Sequence, residues 1–188
     1  MDDSPTEHFE QAEHAEHAAH SGDAFLAIVS VTIAILAVVA ATVGSLETIE
    51  SGQAISDKNE SVLLQNRAAD TWAFFQAQTI KKNMYDIAAA SVPGKSDEFT
   101  AKARDYESQQ SKTRTDAEDF ERERDAQLAA SNHHERRHHI LTTGVTLLHV
   151  AIAVATISII KRGQRWPWHA AVALGVVGTV IAAAAYAV

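Results

Sequence analysis

Ser91-Val92-Pro93-Gly94-Lys95-Ser96-Asp97-Glu98 is the stretch on which the fold turns. Pro93 removes a backbone donor and biases Val92 away from helical angles, and Gly94 tolerates positive φ. Ser96 suits an N-cap, and Asp97 and Glu98 suit the positive end of a helix dipole. The stretch therefore predicts two helices joined by a tight Val92–Ser96 turn. It sits inside a polar segment, Glu47–His139, that holds 13 Lys/Arg and 17 Asp/Glu. Upstream of the turn, Ala69, Trp72, Ala73, Gln76, Ala77, Ile80, Met84 and Ile87 recur at three- and four-residue spacing. Downstream, Phe99, Ala103, Tyr106, Gln110, Thr113, Ala117 and Phe120 form an a/d seam with polar residues in its middle. The segment reads as an antiparallel coiled-coil hairpin whose arms of about 45 residues would reach roughly 65 Å if straight. Gly52 marks a bend near the root of the first arm. The alternating charges from Glu118 to Asp125 read as a solvated helix face. Both seams are poor in large apolar residues, so the hairpin is expected to pack against copies of itself.

Apolar runs enclose the hairpin. Ala24–Leu46 is free of charge and long enough to span a bilayer core of about 30 Å. Ala27, Ser30, Ala34, Ala37, Ala41 and Gly44 make a small-residue stripe along it, the type of surface that lets helices approach closely in lipid. Ile140–Ile160 is a second span, with a polar stripe of Thr142, Thr146, His149 and Thr156. An ionisable residue near a membrane midplane raises the possibility of a pore or proton pathway, weighed against an imidazole bonded to a hydroxyl on a neighbouring helix. Residues 161–169 form a basic and aromatic turn, in which Trp166 and Trp168 fit an interfacial belt and Pro167 fits a first helical turn. Residues 170–188 are the third span, with Ala171, Gly175, Gly178, Ala182 and Ala185 on one stripe and Tyr186 at the far interface. The expected fold is thus an all-α membrane protein: three transmembrane helices at 24–46, 140–160 and 170–188, with the 47–139 hairpin inserted between the first and second.

The first 23 residues carry seven Asp/Glu and no Lys/Arg, most of the net charge of −8. They read as an acidic, histidine-rich disordered tail, without the basic start of a signal peptide. The chain has no cysteine, which excludes disulfides and thiol chemistry. Lys161, Arg162 and Arg165 place the 161–165 turn in the cytoplasm by the positive-inside rule. With three spans, the tail joins it there and the hairpin lies outside.

Candidate chemistry is sparse. His134-Glu135-Arg136-Arg137-His138 has the zinc-peptidase spacing, in which two imidazoles on one helical face hold a metal and the glutamate serves as base. Two adjacent arginines oppose a bound dication, and no third ligand stands nearby in sequence. His134 and His138 therefore remain metal candidates only, and the run reads as an interfacial band of amphipathic side chains whose arginines reach headgroup phosphates. No cofactor motif is present. The hairpin's cations are interleaved with acids, which leaves no electrostatic footprint for nucleic acid.

The block Trp72-Ala73-Phe74-Phe75-Gln76-Ala77-Gln78-Thr79-Ile80-Lys81 resembles the signature of a bacterial membrane-protein family described only as a domain of unknown function. The resemblance implies three spans, a coiled-coil hairpin and no assigned activity; the expected location is the bacterial inner membrane. Trp72, Phe75 and Gln76 are expected at an inter-arm or inter-subunit contact, where Trp72→Ala would cost about 3 kcal/mol. Three function classes follow from these readings. The leading one is a non-enzymatic, homo-oligomeric scaffold or spacer in the lipid bilayer. The others are a cation or proton pathway along the Thr142–Thr156 stripe, and a metal or metalloprotease site at His134/His138.

Overall fold

A computed structural model describes residues 24–161 and 164–187 as three helices: α1 (Ala24–Ser91), α2 (Ser96–Ile160) and α3 (Trp166–Ala184). The expected tail over residues 1–23, the Arg162-Gly163 part of the basic turn, and Val188 lie outside the described residues. There is no strand among the described residues, and all three helices are long and apolar enough to cross a membrane by length and composition. α1 has 68 residues and α2 has 65, so each runs unbroken from an apolar stretch into a charged one. Gly52, expected to mark a bend, is an ordinary helical residue. A glycine in a helix costs about 1 kcal/mol, which the flanking turns absorb. The chain reverses between α1 and α2. There the Val92 amide donates to the Ala88 carbonyl at 3.0 Å, and Gly94 has φ of +80°, open to glycine at no steric cost.

The described residues divide into two compact units, one within 24–53 and 133–187 and the other 54–132. In the first, Val29, Ile33, Leu36, Ala40 and Val43 of α1 form one buried cluster with Leu141, Val145, Leu148 and Ile152 of α2 and Ala171 and Ala182 of α3. Glycine brings the backbones together. A Cβ on Gly178 would lie 2.9 Å from the Gly144 carbonyl oxygen, and one on Gly144 would lie 3.0 Å from the Gly178 carbonyl oxygen. Gly175 is covered by the Leu36 side chain. The whole Ala171–Ala185 stripe is buried within the chain's own helices. The α1 stripe behaves differently. Ser30 is buried, Ala27, Ala37 and Gly44 are half-buried, and Ala34 and Ala41 are exposed. Large aliphatic residues of α1 are needed to fill the hollow that the α3 glycines leave, so its small residues fall to the side. At one end, Trp168 Nε1 donates to Thr32 Oγ1 at 3.0 Å and the Trp168 ring meets Phe25 edge-on.

In the second unit, the two arms pack through Leu64 and Ala68 of α1 and Ala103 and Ala117 of α2, with Ser61, Gln78, Thr113 and Ser131 buried among them. The arm-two seam is the expected one: Ala103, Thr113 and Ala117 are buried, and Phe99, Tyr106, Gln110 and Phe120 are half-buried. The arm-one seam is corrected. Ala69, Ala73, Gln76, Ala77, Ile80, Met84 and Ile87 are exposed, and the inner face is Ser61, Leu64, Ala68, Trp72, Phe75, Gln78 and Tyr85. Arm one carries two periodic stripes, and the one that meets arm two is chosen by fit: small Ala68 and Ser61 allow close approach, and Thr79 Oγ1 accepts from Gln110 Nε2 at 3.1 Å. Near the turn, Tyr85 stacks on Tyr106 with ring centroids 5.7 Å apart and lies 6.1 Å from Phe99.

Candidate functional site

The polar residues of the first unit converge where α1 and α2 carry their first charges. Glu47 and Glu50 stand three apart on α1, and His134, Arg137 and His138 fall within five residues on α2, so each set lies on one helical face. Glu50 is buried at 5% exposure. Its Oε2 lies 2.6 Å from His134 Nδ1, and its Oε1 is 3.7 Å from the Arg137 guanidinium. Glu47 Oε1 accepts from Thr142 Oγ1 at 2.6 Å and lies 3.7 Å from His138 Nδ1, which also faces the Glu47 carbonyl at 3.4 Å. The Arg137 guanidinium sits 5.1 Å over the Tyr186 ring, beyond the end of α3. One cluster thus ties α1, α2 and the segment after α3 together. Burying a carboxylate costs free energy, which hydrogen bonds and facing cations of this kind offset.

This geometry separates the parts of the zinc-peptidase pattern. His134 Nδ1 and His138 Nδ1 face two different α1 carboxylates, and Glu135 is exposed and lies 3.9 Å from His139. Among the described residues, no group of three His, Asp or Glu side chains could hold a metal ion. The expected polar stripe of α2 is also divided. Thr142 belongs to the cluster, whereas the Thr146 and Thr156 hydroxyls donate to the Thr142 and Ala153 carbonyls of their own helix. His149 is half-buried.

Around Trp72, the indole Nε1 donates to Glu121 Oε1 at 2.9 Å and the ring meets Phe75 edge-on at 5.5 Å. Gln76 is exposed, and Gln78 is the buried glutamine, with its Oε1 lacking a hydrogen-bond partner. Sequence reasoning missed Glu47 and Glu50. The signal was available: reflecting the chain about Pro93 sets position 47 opposite 139 and position 50 opposite 136, within two residues of His138 and His134.

The fold and the cluster define a class: all-helical proteins in which two very long helices combine apolar and charged stretches and a third apolar helix packs beside them. Residues 25–188 match the family model described as a domain of unknown function, DUF4337, and the chain belongs to that family. No curated protein and no solved structure matches it.

Proposed function

We propose that the chain is a non-enzymatic membrane scaffold or spacer that anchors a charged helical hairpin to a bilayer and works as a homo-oligomer. The observation that carries this reading is the continuity of α1 and α2. Each is a single helix with an apolar stretch and a charged stretch and no loop between them. In this reading the apolar parts of the three helices are the spans, and residues 54–132 are an antiparallel coiled coil outside the cytoplasm of a bacterial inner membrane. The cluster of Glu47, Glu50, His134, Arg137 and His138 then marks the headgroup layer, where Arg137 reaches Tyr186. The exposed apolar face of arm one supports self-association, since such a face in water calls for a cover.

Sidedness and assembly test the reading together. The chain has no cysteine, so Ser96→Cys gives a single thiol at the turn. A membrane-impermeant maleimide should label it in intact cells; labelling only after lysis would reverse the orientation. Mass measurement of the detergent-extracted chain should give a multimer, and a monomer at all concentrations would remove the scaffold reading.

A further inference from the structure

Arm one has a second continuous face. From Ile55 to Ile87 a stripe advances by alternating steps of four and three residues, with Ile55, Val62, Ile80 and Ile87 as its large apolar members, Ala69 and Ala73 between them, and Asn59, Asn66, Gln76 and Asn83 as its polar ones. No charged residue falls on it, although arm one carries charges on the neighbouring positions. The stripe is exposed throughout: Ile55, Ile80 and Ile87 are 59%, 61% and 66% accessible. At about 100° per residue, Leu64 of the inner seam lies roughly 160° from both Val62 and Asn66, so the two faces of the helix are opposed.

We infer that this stripe is the docking surface for arm one of a second copy of the same chain, in a parallel, in-register, two-stranded pairing. The inference rests on the membrane-anchored reading above, because two copies inserted in the same sense can meet only in parallel. Three observations select a second copy as the occupant. The step pattern is that of a coiled-coil seam, with Asn59 and Asn66 both at the position where a buried asparagine fixes register and strand number. In register, each asparagine faces its own counterpart, and an amide can donate to and accept from an identical amide. Charge also fits. In a parallel pair the flanking charges Lys58, Asp70 and Asp86 fall opposite Leu63, Gln65 and Ser91 of the other copy, so no like charges meet. Carried back along the sequence, the same count reaches Ala41, Ala34 and Ala27, three of the small residues of the first apolar run.

The test uses the full-length chain in native membranes. Ala69→Cys and Ala73→Cys, made singly, place one thiol on the stripe, and Ser108→Cys places one on the exposed face of arm two; all three sites are exposed, so the helices tolerate the change. A disulfide requires Cβ atoms about 4 Å apart, so a symmetric crosslink reports close pairing at that position. Mild oxidation should convert Ala69→Cys and Ala73→Cys to disulfide-linked dimers as the main species and leave Ser108→Cys monomeric. Adding Ile80→Glu should abolish those dimers without loss of helix signal. Absence of the crosslinks while the extracted chain still has a multimeric mass would overturn the stripe inference and leave the scaffold reading in place. Crosslinking at Ser108→Cys alone, or to a different polypeptide alone, would also overturn it, and a monomeric mass would overturn both.

Discussion

The two units solve the same problem, helix against helix, with different materials. The unit of residues 24–53 and 133–187 is filled by Ile33, Leu36, Leu141, Leu148 and Ile152, with glycines letting α3 lie directly on α2. The unit of residues 54–132 is filled by alanine, serine, threonine and glutamine, with Leu64 as its large buried aliphatic residue among the described ones. Its arms also differ from each other. Arm one, residues 54–91, has 8 charged residues and exposes Phe74, Ile80, Met84 and Ile87, while arm two, residues 96–132, has 16 charged residues. The contrast is that the first unit encloses a cluster of large aliphatic side chains, whereas the arms of the second meet through small and polar ones. A seam of small polar groups holds the two arms in register but buries little surface, and Phe74, Ile80, Met84 and Ile87 of arm one stay exposed.

The sharpest way to break this contrast is to remove the charged anchor of the first unit. Glu50→Ala leaves His134 and Arg137 facing one another without their carboxylate, and a loss of about 3 kcal/mol is expected in thermal unfolding followed by circular dichroism. Glu50→Gln keeps an acceptor for His134 and should cost clearly less. If alanine and glutamine behave alike, the cluster is incidental to stability. Gly178→Leu attacks the close approach of α2 and α3; overpacking of this kind should cost up to about 3 kcal/mol, lowering the melting temperature while the crosslinks of arm one persist. Unchanged melting would mean that α3 packs elsewhere.

In the second unit the effects are smaller. Trp72 is half-buried rather than enclosed, so Trp72→Ala should cost about 2 kcal/mol, below the 3 kcal/mol expected from sequence, through lost contact with Phe75 and the lost bond to Glu121. Trp72→Phe should recover most of the packing but not the bond. The smallest effect belongs to the surface pairs. The hydrogen bond and charge of Asp86 hold the Lys82 ammonium above its usual 10.5. A folded-state value raised in this way contributes stability that is fully present below pH 10.5 and is lost as pH rises through the raised value. The pair is solvent-exposed, so Asp86→Asn should barely change melting at neutral pH and should remove only a slight alkaline decline.

Part of this architecture is legible in the amino-acid sequence. The turn at Pro93-Gly94, the three apolar runs and the arm-two seam all follow from local rules, since a proline, a glycine or a four-three rhythm acts through its immediate neighbours. The arm-one seam is not legible, for a specific reason. Periodicity detects an apolar stripe and cannot say which of two stripes faces inward, and the one with Ile80 and Ile87 is the outer. The acid–histidine cluster is hidden for a related reason, because Glu47 and His138 are far apart in the chain and only an antiparallel register brings them together.

The sequence by itself determined that this chain is helical, where it reverses and which stretches are apolar enough to cross a membrane. Each of those is a property of short segments, set by backbone angles and by the length of uncharged runs. Only the tertiary structure decided that the α3 glycines serve a contact within the chain, that Glu50 is buried against His134, and that arm one leaves the face with Ile80 and Ile87 uncovered. Those depend on which surfaces fit one another, and fit is a property of pairs of helices that no single stretch contains.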